Sequence, residues 1–381
     1  MNRMRFFCLT VVIGVLFAGC APAPAPTPTP TPMSPAPTVA APPSATPSPQ
    51  DAAWAKVVQE AKREGVLTVY GYLFPGEIGQ AVGRVFKGRY GITVETLAVQ
   101  GRMALEKVKV EQAIKNPVAD VVSGGLSVCW DLSILNLVDK VVDQLPELKD
   151  RNVFKADVVD FGDQIIYINF SESGIVINSN LVKPEDYPKS WYDLLDPKWK
   201  GKKIILSDPR AGASGGWNWF ATSIIYKVLD LDYFRRLMRQ EPVLIAGAAT
   251  TELALQVARG EFLMTSTSVD SVSFLIVEGA PLKNLALKEG SWVQGNCQVV
   301  IKNAAHPNAA RLFANWFMSK EGQETYHRAA SQTSIRKDLP DFMPPGTRPE
   351  PYKLFVRTTQ VQEEAAKLLK AGTVEEIFTP K

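Results

Sequence analysis

The sequence predicts an α/β protein of two lobes, each a mixed sheet flanked by helices, with the chain passing between the lobes twice. Three observations carry this. Strand-like β-branched runs alternate with helix-period segments, as in VLTVYGY, then EIGQAVGRVFKGRYG, then ITVETLAV. The alternation lapses at QIIYINFSESGIVINSN, where two β-rich runs follow one another without a helix, which suits a crossing between lobes. It resumes at KKIILSDP, and the 331 residues from Asp51 to Lys381 are many for one hydrophobic core and comfortable for two.

In chain order, Arg3 and Arg5 precede an apolar run from Phe6 to Phe17 that ends in LFAGC, the pattern of an export signal over residues 1–20. Small residues directly before Cys20 resemble a bacterial lipobox, which makes Cys20 the expected lipidated first residue of the mature chain. Residues 21–50 hold twelve prolines and no charge, so they cannot bury a core and are expected to be an extended tether. WAKVVQEAKREG reads as a helix stopped by Gly65, and VLTVYGY as the first strand. The helix over EIGQAVGRVFKGRYG, the strand ITVETLAV, the helix RMALEKVKVEQAIKN and the strand ADVVSGG complete a parallel βαβ pattern, with a further helix expected over LSILNLVDKVV.

After the crossing near Ile165 to Ile177, KKIILSDP, WNWFATSIIYKVL, PVLIAG, TTELALQVARG and FLMTSTS give strand, helix, strand, helix and strand, and a second passage is expected near Thr265 to Asp270. GNCQVVIKNA reads as a strand, HPNAARLFANWFMSKEGQETYHRAAS as a helical region, and QVQEEAAKLLKAG as the last helix. The expected domains are 51–166 for the first part of lobe 1, 167–268 for lobe 2, 269–335 for the second part of lobe 1, and 336–381 for a C-terminal helical segment packed on the lobes.

Loss of Arg3 and Arg5 takes the formal charge from +3 to +1, and no basic block of the kind that tracks nucleic acid is present. Cys129 and Cys297 could form one disulfide or stand as two buried thiols, and spacing does not decide between them. With His306 and His327 as the only histidines, a structural zinc site is not expected.

The run GASGG, Gly212 to Gly216, matches the G-x-S-x-G pattern of a nucleophile elbow. A serine hydrolase built on Ser214 needs a histidine base, but His306 precedes a proline in a turn or capping context and His327 reads as a surface residue. What the motif does offer is a glycine-rich turn from strand to helix, whose N–H groups suit an anion or polar oxygen. Similar junctions recur at YGYLFPGE, VQGRM, VVSGGLS and AGAATTE, and such loops gather ligands at the carboxyl ends of strands. They nominate Tyr72, Arg102, Ser123, Gly124, Ser214, Gly215, Gly216, Thr250 and Thr251 as ligand-binding residues, with Arg210 near the loop. Trp130, Trp217 and Trp219 read either as core or as an apolar wall of the cleft.

GIVINSNLVKPEDYPKSWYDLLDPKWKGKKIILSDPRAGASG and KNAAHPNAARLFANWFMSKEGQE together resemble the bacterial extracellular solute-binding proteins of ABC importers, in the group of ferric-iron, thiamine, polyamine and phosphonate binders. The resemblance implies a periplasmic-binding-protein type 2 clamshell that closes on a small solute and docks on a permease driven by a separate ATPase. It implies no catalysis and no cofactor, an extracytoplasmic monomer, and a membrane touched only through the lipid anchor. Ferric-iron members present two adjacent tyrosines at the second hinge; the corresponding place here is Val269 and Asp270, and Phe74 stands where some members carry histidine. A loop set rich in Gly, Ser and Thr suits a small anionic solute of phosphonate or carboxylate type, and Asp270 facing the cleft would add a preference for an amine. A ferric-iron receptor using Tyr70, Tyr72 and Asp270 is the alternative.

Overall fold

The computed structural model describes residues 48–99, 101–211, 215–246, 250–348 and 353–379. The signal segment, Cys20 and nearly all of the expected tether lie outside them, as does Ser214. Among the described residues no helix is long and apolar enough to cross a membrane.

Helix α1 (Pro49–Glu64) starts inside the expected tether, because Ser48 and Asp51 form a reciprocal capping box and proline fits the first turn. It stops at Gly65, which adopts the left-handed conformation with φ 71°. There follow β1 (Val66–Gly71), α2 (Gly76–Tyr90), β2 (Thr93–Leu97), α3 (Gly101–Ala113), β3 (Val121–Gly125) and α4 (Leu126–Ile134). Helix α4 begins directly at the strand end, earlier than expected, because Gly125 serves as its N-cap, and Asn136 at φ 56° turns the chain away just past its end. A short β4 (Val159–Asp160) leads to the crossing strand β5 (Ile165–Asn178).

The second half holds β6 (Ile204–Ser207), α5 (Gly215–Ile225), α6 (Leu231–Met238), β7 (Val243–Ile245), α7 (Thr250–Ala258), β8 (Met264–Ser268), α8 (Val269–Val277) and β9 (Leu282–Leu285). The chain ends with β10 (Ser291–Val300), α9 (Pro307–Met318), α10 (Lys320–Ala330), β11 (Leu354–Arg357), α11 (Thr359–Lys370) and α12 (Thr373–Phe378).

The strands run in the order β2-β1-β3-β10-β5-β8-β6-β7, with β11 on β10 and both β4 and β9 on β5. Strands β2, β1 and β3 are parallel to one another, as are β7, β6 and β8, so each half repeats the same wiring beside an antiparallel crossing strand. Two aromatic-rich cores divide the sheet. The first gathers Phe74, Phe86, Phe313, Trp316 and Phe317. The second gathers Trp191, Trp217, Trp219, Phe220, Phe234 and Trp292. A smaller group, including Val176, Leu253, Val257 and Val272, covers the opposite face of the second half, so Ile175 and Ile177 of β5 point one way and Val176 the other.

The second passage between cores falls on β10, later than the expected Thr265 to Asp270. Trp292 packs in the second core and Cys297, Val299 and Val300 in the first, whereas β8 leads into α8, whose Val272 and Leu275 stay with the second half. The main-chain ladder of MTSTS to β5 and β6 keeps this strand inside the second half-sheet.

Candidate functional site

Polar side chains interrupt both crossing strands at one level. Strand β5 is apolar at Ile165, Ile166 and Ile168 and again at Ile175 to Ile177, with Asn169, Ser171 and Ser173 between. Strand β10 carries Gln294 and Asn296 between Trp292 and Cys297. The register sets Asn296 opposite Asn169 and Gln294 opposite Ser171. On the other side of β10, β3 ends with Gly125 beside Asn296, and β11 ends with Arg357 beside Gln294. Because β3 is antiparallel and β11 parallel to β10, their carboxyl ends face each other across Gly295. A crevice at converging carboxyl ends is where open α/β sheets take ligands.

Amide and hydroxyl groups tie this level together. The Tyr72 hydroxyl donates to Asn296 Oδ1 at 3.0 Å, and burial holds the phenol above its ordinary pKa. Asn218, in the first turn of α5, donates through Nδ2 to Gln294 Oε1. Gln294 in turn lies so close to Gly125 that a Cβ there would stand 2.6 Å from its Nε2. One chain of side chains therefore runs from α5 of the second half to the strand end of the first. Glycine is required more strictly at Gly216, where a Cβ would meet the main chain at Ser207 O at 1.8 Å, so α5 can start hard against the end of β6.

Asp270 sits in the first turn of α8 and is 6% exposed. Burial pushes its carboxyl up to about 7, with the Ser171 hydroxyl pulling down by hydrogen bonding and Asp341 pushing up by repulsion. Arg357 is 1% exposed, and its guanidinium carbon lies 6.0 Å from the Trp217 ring centroid. Its Nη2 donates to Gln362 Oε1, while Nε and Nη1 have no partner among the described residues. Burial pulls this guanidinium down to about 9, partly offset by Tyr167.

The residues expected from sequence divide accordingly. Tyr72 and Gly124 stand at strand ends beside the Gln294–Asn296 segment, Gly215 and Gly216 open α5, and Asp270 reaches Ser171. Thr250 and Thr251 open α7, with Thr251 half-buried. Ser123 does not face the crevice: it is 1% exposed within the sheet, its hydroxyl 3.5 Å from Cys297 O. Arg102 is exposed on α3, on the side of Asp131. Arg210 is committed to Asp208, Nη2 to Oδ2 at 2.6 Å, and also approaches Glu375.

Trp217 and Trp219 are core residues, and Tyr70 is turned into the first core, donating to Glu111 at 2.7 Å. Phe74 packs edge-on against Phe313, Phe317 and Tyr326. His327, expected at the surface, is fully buried: its Nδ1 lies 2.8 Å from Gln323 O, and burial pulls its pKa down to about 4. The helix α10 turns this face inward toward β5, where Gln323, one turn before His327, donates to Ile168 O, and the polar neighbours of His327 in sequence conceal it. His306 occupies the N-cap of α9 with its ring on Asp120 at 2.9 Å. Cys129 and Cys297 are buried free thiols in contact.

Sequence reasoning missed Asn218, Gln294, Asn296 and Arg357. The signal available was the pair of amides in WVQGNCQVV, set where a strand otherwise apolar changes cores.

A sheet of two identically wired halves, with donors gathered at the strand ends between them, defines a two-lobed α/β binding protein. The chain belongs to the bacterial extracellular solute-binding proteins, whose family model matches residues 81–351. It is thus a substrate-binding protein rather than an enzyme, and the hydrolase alternative for Ser214 falls away. An uncharacterised protein of Haemophilus influenzae is 25% identical over 240 residues, which span 61% of this chain and 67% of that one. Iron-bound HitA from Pseudomonas aeruginosa superposes with a TM-score of 0.67 at 21% identity, covering 82% of this chain and 99% of that one. AfuA from Actinobacillus pleuropneumoniae, with fructose-6-phosphate bound, gives 0.64 at 21% identity, covering 82% and 97%. These likenesses establish the type 2 periplasmic-binding-protein fold.

Proposed function

We propose that this chain is the lipid-anchored, extracytoplasmic receptor of an ABC importer, taking a small anionic or zwitterionic solute of phosphonate or carboxylate type between its lobes. A monomer held through Cys20 delivers the solute to a permease powered by a separate ATPase. The observation that carries the solute class is the polar level on β5 and β10. Amide and hydroxyl donors there stand between Arg357 at one edge and Asp270 at the other. An anionic group matches the donors, and an amine matches a buried carboxyl that otherwise costs folding energy to ionise. Tyr72, Gly124, Gly215, Gly216, Thr250, Thr251 and Asp270 are its proposed contacts, with Ser214 supplying a further donor.

A ferric-iron receptor is less well supported. Tyr70 and Tyr72 have other partners, and among the described residues no three His, Cys, Asp or Glu side chains gather to hold a metal. The test is a thermal-shift screen of phosphonates, phosphates, carboxylates and amino acids against ferric citrate. A solute at a hundred times its dissociation constant stabilises by about 2.7 kcal/mol. Stabilisation by an anionic or zwitterionic solute is expected; a charge-transfer band with ferric citrate, and no response to the organic panel, would overturn the reading.

A further inference from the structure

We infer that Arg357, contributed by the chain beyond the family's matched region, is the cation that pairs with the solute's oxyanion in the crevice between the lobes. The inference rests on the anionic-solute reading above and adds the residue that enforces it. Four observations meet at this side chain. It lies beyond residue 351, where the family match ends, on a strand that the C-terminal segment adds to β10. That strand stops beside Gln294, at the same level where β3 stops beside Asn296, so the guanidinium belongs to the converging strand ends rather than to the outer surface. It rests against Trp217, the third residue of α5, the helix that follows the glycine-rich loop. And it is 1% exposed with Nε and Nη1 unpartnered among the described residues, although arginine is almost never buried without a paired acceptor.

The described neighbours do not supply acceptors for these two nitrogens. Gln362 takes only Nη2. Asp160, which is tied into this corner through Thr359, is already engaged: it accepts from the Tyr167 hydroxyl at 2.7 Å and from the Thr359 hydroxyl at 2.6 Å. A buried guanidinium left uncompensated is costly to the fold, so a fold that retains one with no carboxylate on it among the described residues holds it ready for an acceptor that arrives from outside. A guanidinium is a planar set of charged donors, and either free nitrogen of Arg357 can donate to an oxygen of a phosphonate, phosphate or carboxylate. Burial also pulls the guanidinium down to about 9, which the arrival of an anion would offset.

The experiment is calorimetric titration of the full-length protein and its Arg357→Gln and Arg357→Lys variants with inorganic phosphate, methylphosphonate and acetate. Glucose and thiamine serve as neutral and cationic controls. Each protein is also melted without ligand. An oxyanion should bind the wild type, weaken about tenfold to a hundredfold in Arg357→Gln, and recover part of the loss in Arg357→Lys. The ligand-free melting temperature of Arg357→Gln should equal or exceed that of the wild type. Equal oxyanion affinity in Arg357→Gln, or a loss of affinity that only follows a lower melting temperature, overturns the inference and leaves the anionic receptor standing. A wild type that binds only glucose or thiamine, or no probe at all, overturns both.

Discussion

Replacing Asp270 by asparagine should stabilise the ligand-free protein at alkaline pH and leave it nearly unchanged in acid. The carboxyl has an ordinary value of 3.8 and rises to about 7 in the fold, chiefly through burial. Between those values the native state binds the proton more tightly than the unfolded chain does, so stability falls as pH rises from about 4 to about 7. A rise of this size corresponds to about 4 kcal/mol against folding once the pH exceeds 7. The asparagine keeps the shape and can still meet the Ser171 hydroxyl, but it does not ionise.

The assay is urea unfolding of both proteins at pH 4, 5.5, 7 and 8.5, taking the difference at each. His327, whose pKa falls to about 4, acts in the other direction: it contributes stability above about pH 6.5 that is lost as pH drops toward 4. It is present in both proteins, so the difference isolates Asp270. A difference that grows from near zero in acid to a few kcal/mol at pH 8.5 is expected; a constant difference would refute the argument from burial.

Other outcomes follow from the same geometry. Gly216→Ala should lower stability by at least about 2 kcal/mol in a melt, because the new Cβ collides with main chain at Ser207 rather than with a movable side chain. Tyr72→Phe should cost about 1 kcal/mol of solute affinity by freeing Asn296 Oδ1, measured by titration with the solute found in the screen. Arg210→Ala should lower the melting temperature and leave solute affinity unchanged, since the guanidinium braces Asp208 and α12. A thiol reagent should find Cys129 and Cys297 only after unfolding, because both are fully buried.

Periodicity made the two βαβ units and the long crossing strand legible, since β-branched runs and amphipathic helices declare themselves locally. The second crossing was harder. VQGNCQVV looks like an ordinary strand, and only its pairing with both β3 and β5 reveals that it changes cores. Ser123 was nominated because small polar residues at a strand end suggest a loop, but two neighbouring strands close over it. Arg357 was invisible for a different reason: its four-residue strand is stable only as an addition to β10, a contact between distant parts of the chain.

The exchange of strands between cores also dictates when each core can close. The first takes Ala61 to Ile168 and then Cys297 to Ile335; the second takes Ile175 to Trp292 and then Ala365 to Phe378. During synthesis, the open edge of β3 must therefore wait until β10 has emerged. Phe220 and Phe234 wait longer still, because Phe378, whose ring centre settles 5.4 Å and 5.9 Å from theirs, is made after β10 as well. A nascent chain of this protein therefore carries an unpaired strand edge until β10 is made and uncovered aromatics for longer still, the features that expose folding intermediates to aggregation.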